Sequence, residues 1–166
     1  NREVDGKLMI TPEQMRRRYQ EKINDYRLPE KLRLRVIVIH GATDPAEQAV
    51  RKKLAEETRE KALNGQDFAL LAKSRSEDGK AENGGDWGWM EAAELREEIR
   101  QVVHSVPAGR IAPLILAEGD WYIVKVEERR AESTIPFEEA RKEIEEYLRN
   151  RESSRLYDAW MKRLRK

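Results

Sequence analysis

Apolar residues recur at helical spacing near both ends of the chain and alternate in its middle. Met15, Tyr19, Ile23 and Tyr26 form a stripe at helical intervals, which predicts an amphipathic helix. Thr11, Pro12 and Gln14 supply its cap, first turn and capping box, and Pro29 is expected to end it. "KLRLRVIVIH" alternates and then runs through Val36, Ile37, Val38 and Ile39, so it reads as the clearest strand. Asp44-Pro45-Ala46-Glu47 opens a second helix that runs to Ala62 or Leu63 and stops at Asn64-Gly65. Asp67 caps a short helix, "FALLAKSR", and "SEDGKAENGGDWGWM" reads as loop with one brief strand. "EAAELREEIRQVV" reads as a helix. "RIAPLIL" and "WYIVKVEERR" read as strands around a turn at Glu118-Gly119-Asp120. A last helix after Pro136 carries Phe137, Ala140, Ile144 and Leu148, with a break expected near Ser153-Ser154 before Trp160 and Leu164.

The core from about Lys31 to Arg130 therefore reads β-α-α-β-α-β-β, with one helical segment on either side. Neither outer stripe buries itself alone, so the two helices are expected to pack on each other or on further chain. Their exposed stripes also predict self-association.

Composition narrows the function classes. Hydrophobic and charged residues each make up 39%, and 33 Lys and Arg balance 32 Asp and Glu to a net charge of +1. That balance gives no global attraction to nucleic acid or anionic lipid. The tail "RNRESSRLYDAWMKRLRK" is basic, but Tyr157 and Trp160 sit at packing spacing, so it reads as a half-buried helix and no nucleic-acid partner is expected. There are no cysteines, which excludes disulfides, thiolate chemistry and Cys-type zinc sites. No His pair stands at metal spacing, so no metal is expected. "NGGDWG" has neither the glycine spacing nor the lysine of a phosphate loop, and no cofactor is expected. No apolar run is long enough to span a bilayer, so no stable membrane insertion is expected. The chain opens on "NREVDGKLMI" with no visible signal peptide, which reads as a fragment.

Four spaced motifs give a sharper reading. "GQDFALLAKSRSED", "NGGDWGWM", "VPAGRIAP" and "WYIVKVEERR" follow one another closely and together resemble the parvulin-type peptidyl-prolyl isomerases. The flanks "TPEQMRRRYQEKINDYRLPEKLRLR" and "FEEARKEIEEYLRNRESSRLYDAWMKRLR" resemble those of SurA-type and PrsA-type extracytoplasmic foldases. The resemblance implies an α+β fold: a small antiparallel sheet surrounded by helices. It implies an isomerase domain over residues 31–130, with residues 1–30 and 131–166 as parts of a helical chaperone-like unit. It also implies an extracytoplasmic, periplasmic or secreted location, and a partner that is an unfolded or extended, Pro-containing polypeptide.

The chemistry implied is the turning of an X-Pro bond, with a barrier of roughly 18–20 kcal/mol, without making or breaking a covalent bond. A catalyst must grip the proline ring, exclude water and favour the twisted imide electrostatically. By the resemblance, Trp87 takes the place of the family's leucine in the proline cup, and Leu95 and Ile99 are its other apolar walls. Four residues apart, Leu95 and Ile99 would share a helix face, a pattern that by itself is more often plain core. Asp78 falls at the electrostatic position on the rim, and is also an ordinary Asp-Gly turn residue beside Gly79. Asp86 is expected to anchor the loop, and Trp89 to share the side of Trp87 if the strand is regular.

Two departures bear on activity. The family's paired histidines fall on Val36 and on Tyr122, or on Trp121 if the register slips by one after the Gly119-Asp120 turn. His40 lies four residues past the first position, roughly 13 Å along a strand, and does not replace it. His104 falls at a helix end, as a structural or surface residue suited to the helix dipole. Two functions follow as expectations: an isomerase with weakened catalysis, or a peptide-binding module that keeps the fold without the chemistry.

Overall fold

A computed structural model describes residues 9–165. The chain forms two compact units. One is residues 29–132, and the other joins the segment up to Leu28 with the segment from Ser133 onward.

In the first unit, β2 (Lys31–Ile39) leads to α2 (Pro45–Leu63), α3 (Phe68–Arg75), β3 (Asp86–Glu91), α4 (Glu97–Val103), β4 (Ile115–Ala117) and β5 (Asp120–Arg130). The four strands form one antiparallel sheet in the order β3-β2-β5-β4. Alternation on the two central strands sorts the core into two layers. Leu32, Leu34, Val36 and Val38 of β2, with Tyr122, Val124 and Val126 of β5, face Leu95, Ile99 and Val103. Ile37 and Ile39, with Trp121 and Ile123, face Ala55 of α2 and Phe68 and Leu71 of α3. The run Val36 to Ile39 is buried on both faces, which is why its alternation disappears in the sequence.

Caps set the helices of this unit. Asp44 accepts from Glu47 N–H at 3.1 Å and Asp67 from Leu70 N–H at 3.2 Å. The predicted helix over "EAAELREEIRQVV" is shorter: Ala92–Glu94 is a 3₁₀ turn, and Leu95 is extended at φ −76°, ψ 147° before α4 begins. Leu95 and Ile99 are both buried but do not share a helix face. "RIAPLIL" forms only a three-residue strand, preceded by an isolated bridge from Ile111 to Lys125, because Pro113 offers no N–H to the ladder.

The second unit pairs α1 (Pro12–Glu21) and α5 (Phe137–Leu164), with a two-stranded ladder of β1 (Arg27–Leu28) and β6 (Ser133–Thr134). Thr11 and Gln14 form the full capping box. Met15, Tyr19, Ala140 and Ile144 are buried together, so the outer helices do pack on each other. Tyr19 stacks on Tyr26 at 5.1 Å, meets Phe137 edge-on at 5.6 Å, and donates its hydroxyl to Ile135 O at 2.7 Å. α1 ends well before Pro29: Ile23–Tyr26 tightens into a 3₁₀ turn, which frees Arg27–Leu28 to pair. α5 is continuous through Ser153-Ser154, since two serines lower helix propensity without removing a backbone donor.

Candidate functional site

The site is built on the face of the sheet that carries Val36 and Tyr122. A glycine turn brings the loop against β2. Gly85 has φ +75°, accepts from Val36 N–H at 2.8 Å through its carbonyl, and has no room for a side chain: a Cβ would stand 2.4 Å from Val36 O. The chain then enters β3 through a bulge, where Leu34 opposes Gly88 and Arg35 opposes Asp86, leaving Trp87 as the extra residue. Asp86 holds the bulge, accepting from Gly88 N–H at 2.8 Å and from the Arg33 guanidinium at 3.1 Å. The Gly88 amide, with Arg33 beside it, holds the Asp86 carboxyl below the usual carboxylate range.

The bulge decides where the tryptophans point. Trp87 packs half-buried on the Val36–Tyr122 cluster and meets Tyr122 edge-to-face at 6.5 Å. Trp89 does not share its side. The extra residue and the left-handed Gly88 (φ +72°) put it opposite Arg33, where Arg130 lies over its ring at 4.5 Å.

Asp78 completes the rim. Its Oδ2 accepts from Trp87 Nε1 at 3.3 Å and its Oδ1 from Ser76 Oγ at 2.6 Å. Ser76 Oγ in turn accepts from Val38 N–H at 3.0 Å, which ties the loop to β2. Ser76 went unnoticed in the sequence, although the S-x-D spacing of "SED" marks it. Leu95 and Ile99 form the floor, at 5% and 1% exposure. Both support Trp87 and Tyr122 from within the same cluster, and Ile99 offers little surface of its own to a ligand.

The structure brings Asp78, Trp87, Tyr122, Leu95, Ile99 and Val36 to one face, and leaves Trp121 out. Trp121 pairs with Ile39 on β2, packs in the other layer and lies under Lys52. The register therefore selects Tyr122 as the residue on the rim side. Tyr122 stands opposite Val38, two pairs along from Val36 and Val124, so Val36 and Tyr122 are offset neighbours on the same face. Burial pushes the Tyr122 phenol above its ordinary range. Asp120, Glu118 and Asp78 add to the shift and Arg96 opposes it.

His104 is exposed at the end of α4, and the carbonyls there are taken by Arg129, which donates to Val103 O and, at 2.7 Å, to Val106 O. A cavity of about 520 Å³ opens on the opposite face, between Phe68, Arg110 and Lys125. Its charged wall is closed on itself by Arg35 and Glu127 at 3.0 Å, and it shares no residue with the rim. Among the described residues no cluster of His, Asp and Glu is arranged to hold a metal ion. No helix among them is long and apolar enough to cross a membrane.

A four-stranded antiparallel sheet in the order β3-β2-β5-β4, with helices packed on both faces, is the fold of a parvulin-type domain. Residues 10–142 match the family of the PPIC-type PPIASE domain, and the chain belongs to that family. It is 37% identical over 135 residues to the chaperone SurA of Pseudomonas aeruginosa, an alignment that covers 78% of this chain and 32% of that protein. The chain thus spans about a third of the length of that relative. Its fold resembles a SurA-like chaperone of Campylobacter jejuni, with a TM-score of 0.78 at 19% identity, covering 98% of this chain and 64% of that one. It also resembles a PpiC-type peptidyl-prolyl cis-trans isomerase domain, with a TM-score of 0.57 at 26% identity, covering 63% of this chain and 95% of that one.

Proposed function

We propose that the domain binds extended, X-Pro-containing segments of unfolded polypeptides at the Asp78–Trp87–Tyr122 rim, and isomerises them slowly. The observation that carries this reading is the joining of Asp78 and Trp87 by a hydrogen bond, edge-on to Tyr122, above the Leu95 and Ile99 floor. A proline ring packs on the aromatic edge, and the Asp78 carboxylate disfavours the planar, conjugated imide. Catalysis is slow for two reasons. Asp78 already accepts two hydrogen bonds, so its charge is partly spent inside the protein. Val36 and Tyr122 also provide no imidazole pair behind the cup.

These same replacements favour a second reading, in which the fold serves only to hold peptide. A protease-coupled assay on a proline tetrapeptide, run beside suppression of aggregation of an unfolded protein, separates the two. Acceleration lost in Asp78→Ala supports the first. Aggregation suppressed with no acceleration supports the second. The division into an isomerase domain and a chaperone-like helical unit belongs to this reading, as does a place outside the cytoplasm, on kinship with SurA. Exposed Tyr157 and Leu164 on α5 support self-association through the terminal helices, which light scattering tests.

A further inference from the structure

The β4–β5 hairpin turns through two residues, Glu118 and Gly119, between the paired Ala117 and Asp120. Both take positive φ, +50° and +86°, as the tightest hairpin turn requires. That turn favours Asn, Asp or Gly at its first position, yet Glu118 stands there, the one non-glycine residue at positive φ among the described residues. Seating the hairpin does not account for it. Gln48 of α2 donates to Gly119 O at 3.3 Å and Gly41 N–H to Asp120 Oδ1 at 3.0 Å, so the tip is held without the Glu118 side chain.

That side chain reaches instead to Arg96, whose Nη1 lies 2.8 Å from Glu118 Oε2. Arg96 directly follows Leu95 of the floor and stands at the N-cap position of α4, where its side chain makes no capping bond. Both partners are open to solvent, at 48% and 71% exposure. An exposed pair of this kind adds little stability, so the guanidinium changes partner at small cost. The phenol of Tyr122 is raised first by burial. Of the charges acting on it, Arg96 acts most strongly, the one cation set against Asp120, Glu118 and Asp78. Arg96 thus stands at the Tyr122 side of the rim, as Asp78 stands at the Trp87 side. A guanidinium presents its donors as a planar fork that matches a carboxylate, and Glu118 occupies it as the carboxylate of a ligand would.

We propose that Arg96 is a specificity-determining residue of the rim: it selects X-Pro segments with an acidic side chain beside the proline, and Glu118 is the carboxylate that such a side chain displaces. The proposal rests on the reading that this rim binds polypeptide.

In the test, end-blocked Ala-Ala-Pro-Ala-Phe, Ala-Glu-Pro-Glu-Phe and Ala-Lys-Pro-Lys-Phe are titrated into the full 166-residue chain, and binding is followed at the indole N–H resonance of Trp87. Wild type is expected to bind the glutamate peptide about two- to threefold tighter than the lysine peptide, as suits an exposed pair. Glu118→Gln removes the competitor and raises that ratio to about tenfold, whereas Arg96→Gln brings it to one or below. Arg96→Lys keeps the charge but not the fork, and is expected to lose about half of the preference or more. Competition for one guanidinium also couples the two positions: Arg96→Gln weakens the glutamate peptide more in the Glu118→Gln background than in wild type. Effects that simply add, or a ratio unchanged in Arg96→Gln, overturn the proposal. Glu118→Asn suits the turn, and is expected to raise the melting temperature while shifting the ratio as Glu118→Gln does. A lower melting temperature with an unshifted ratio would make the pair a structural clip and overturn the proposal. If none of the three peptides moves the Trp87 resonance, the binding reading itself fails, and the proposal with it.

Discussion

At the scale of single residues, two carboxylates, one in the loop before β3 and one at its first position, do different work. Asp78 serves the rim and Asp86 serves the backbone. Asp78→Ala leaves the Trp87 indole and the Ser76 hydroxyl without their acceptor. It is expected to cost about 1–2 kcal/mol of stability and to weaken peptide binding about tenfold, as measured by denaturant midpoint and calorimetry. Asp86 is held below the usual carboxylate range by the Gly88 amide first and Arg33 second. A depressed folded pKa means that its stabilisation is complete above the unfolded value, about 3.9, and is lost as the pH falls through the lower folded value. Wild type and Asp86→Asn should therefore differ in urea midpoint at pH 7 and converge at strongly acid pH. A difference that stays constant contradicts the assignment. Asp78 and Asp86 were both visible in the sequence, through the spacing of "SED" and "NGGDWG". The hydrogen bonds that separate their roles were not, because they depend on a loop closing onto β2.

At the scale of elements, the bulge in β3 matters most. Periodicity placed the strands and helices of the core in order, because alternation and caps are local signals. It failed where one residue changes a phase. A regular β3 would put Trp87 and Trp89 together, but the extra residue at the bulge sends Trp89 to Arg130. It failed again at Leu95, where a 3₁₀ turn interrupts a sequence rich in helix formers. Here burial of Leu95 in the sheet cluster outweighs propensity. Ser153-Ser154 is the converse case: local propensity hints at a break, and the helix runs on. The bulge depends on Gly85 in the turn before it. Gly85→Ala should cost about 2–4 kcal/mol, from a left-handed φ together with the clash against Val36 O. Thermal melts check this; a shift of less than a degree would mean that the loop is free to move away from β2.

At the scale of the molecule, all the rim residues lie within residues 29–132, which contain two buried layers of their own. That segment alone is expected to fold cooperatively and to bind a proline peptide within about twofold of the full chain. Circular dichroism melts and a peptide titration check it. The helical unit has a separate aromatic core around Tyr19. The most direct test of the central claim is the cis–trans exchange rate of an Ala-Pro peptide, followed by nuclear magnetic resonance with catalytic amounts of the protein. Uncatalysed exchange takes tens to hundreds of seconds. The account predicts measurable acceleration that Asp78→Ala removes, with peptide shifts that report binding near Trp87. A peptide that neither shifts the Trp87 resonance nor exchanges faster than in buffer would contradict it.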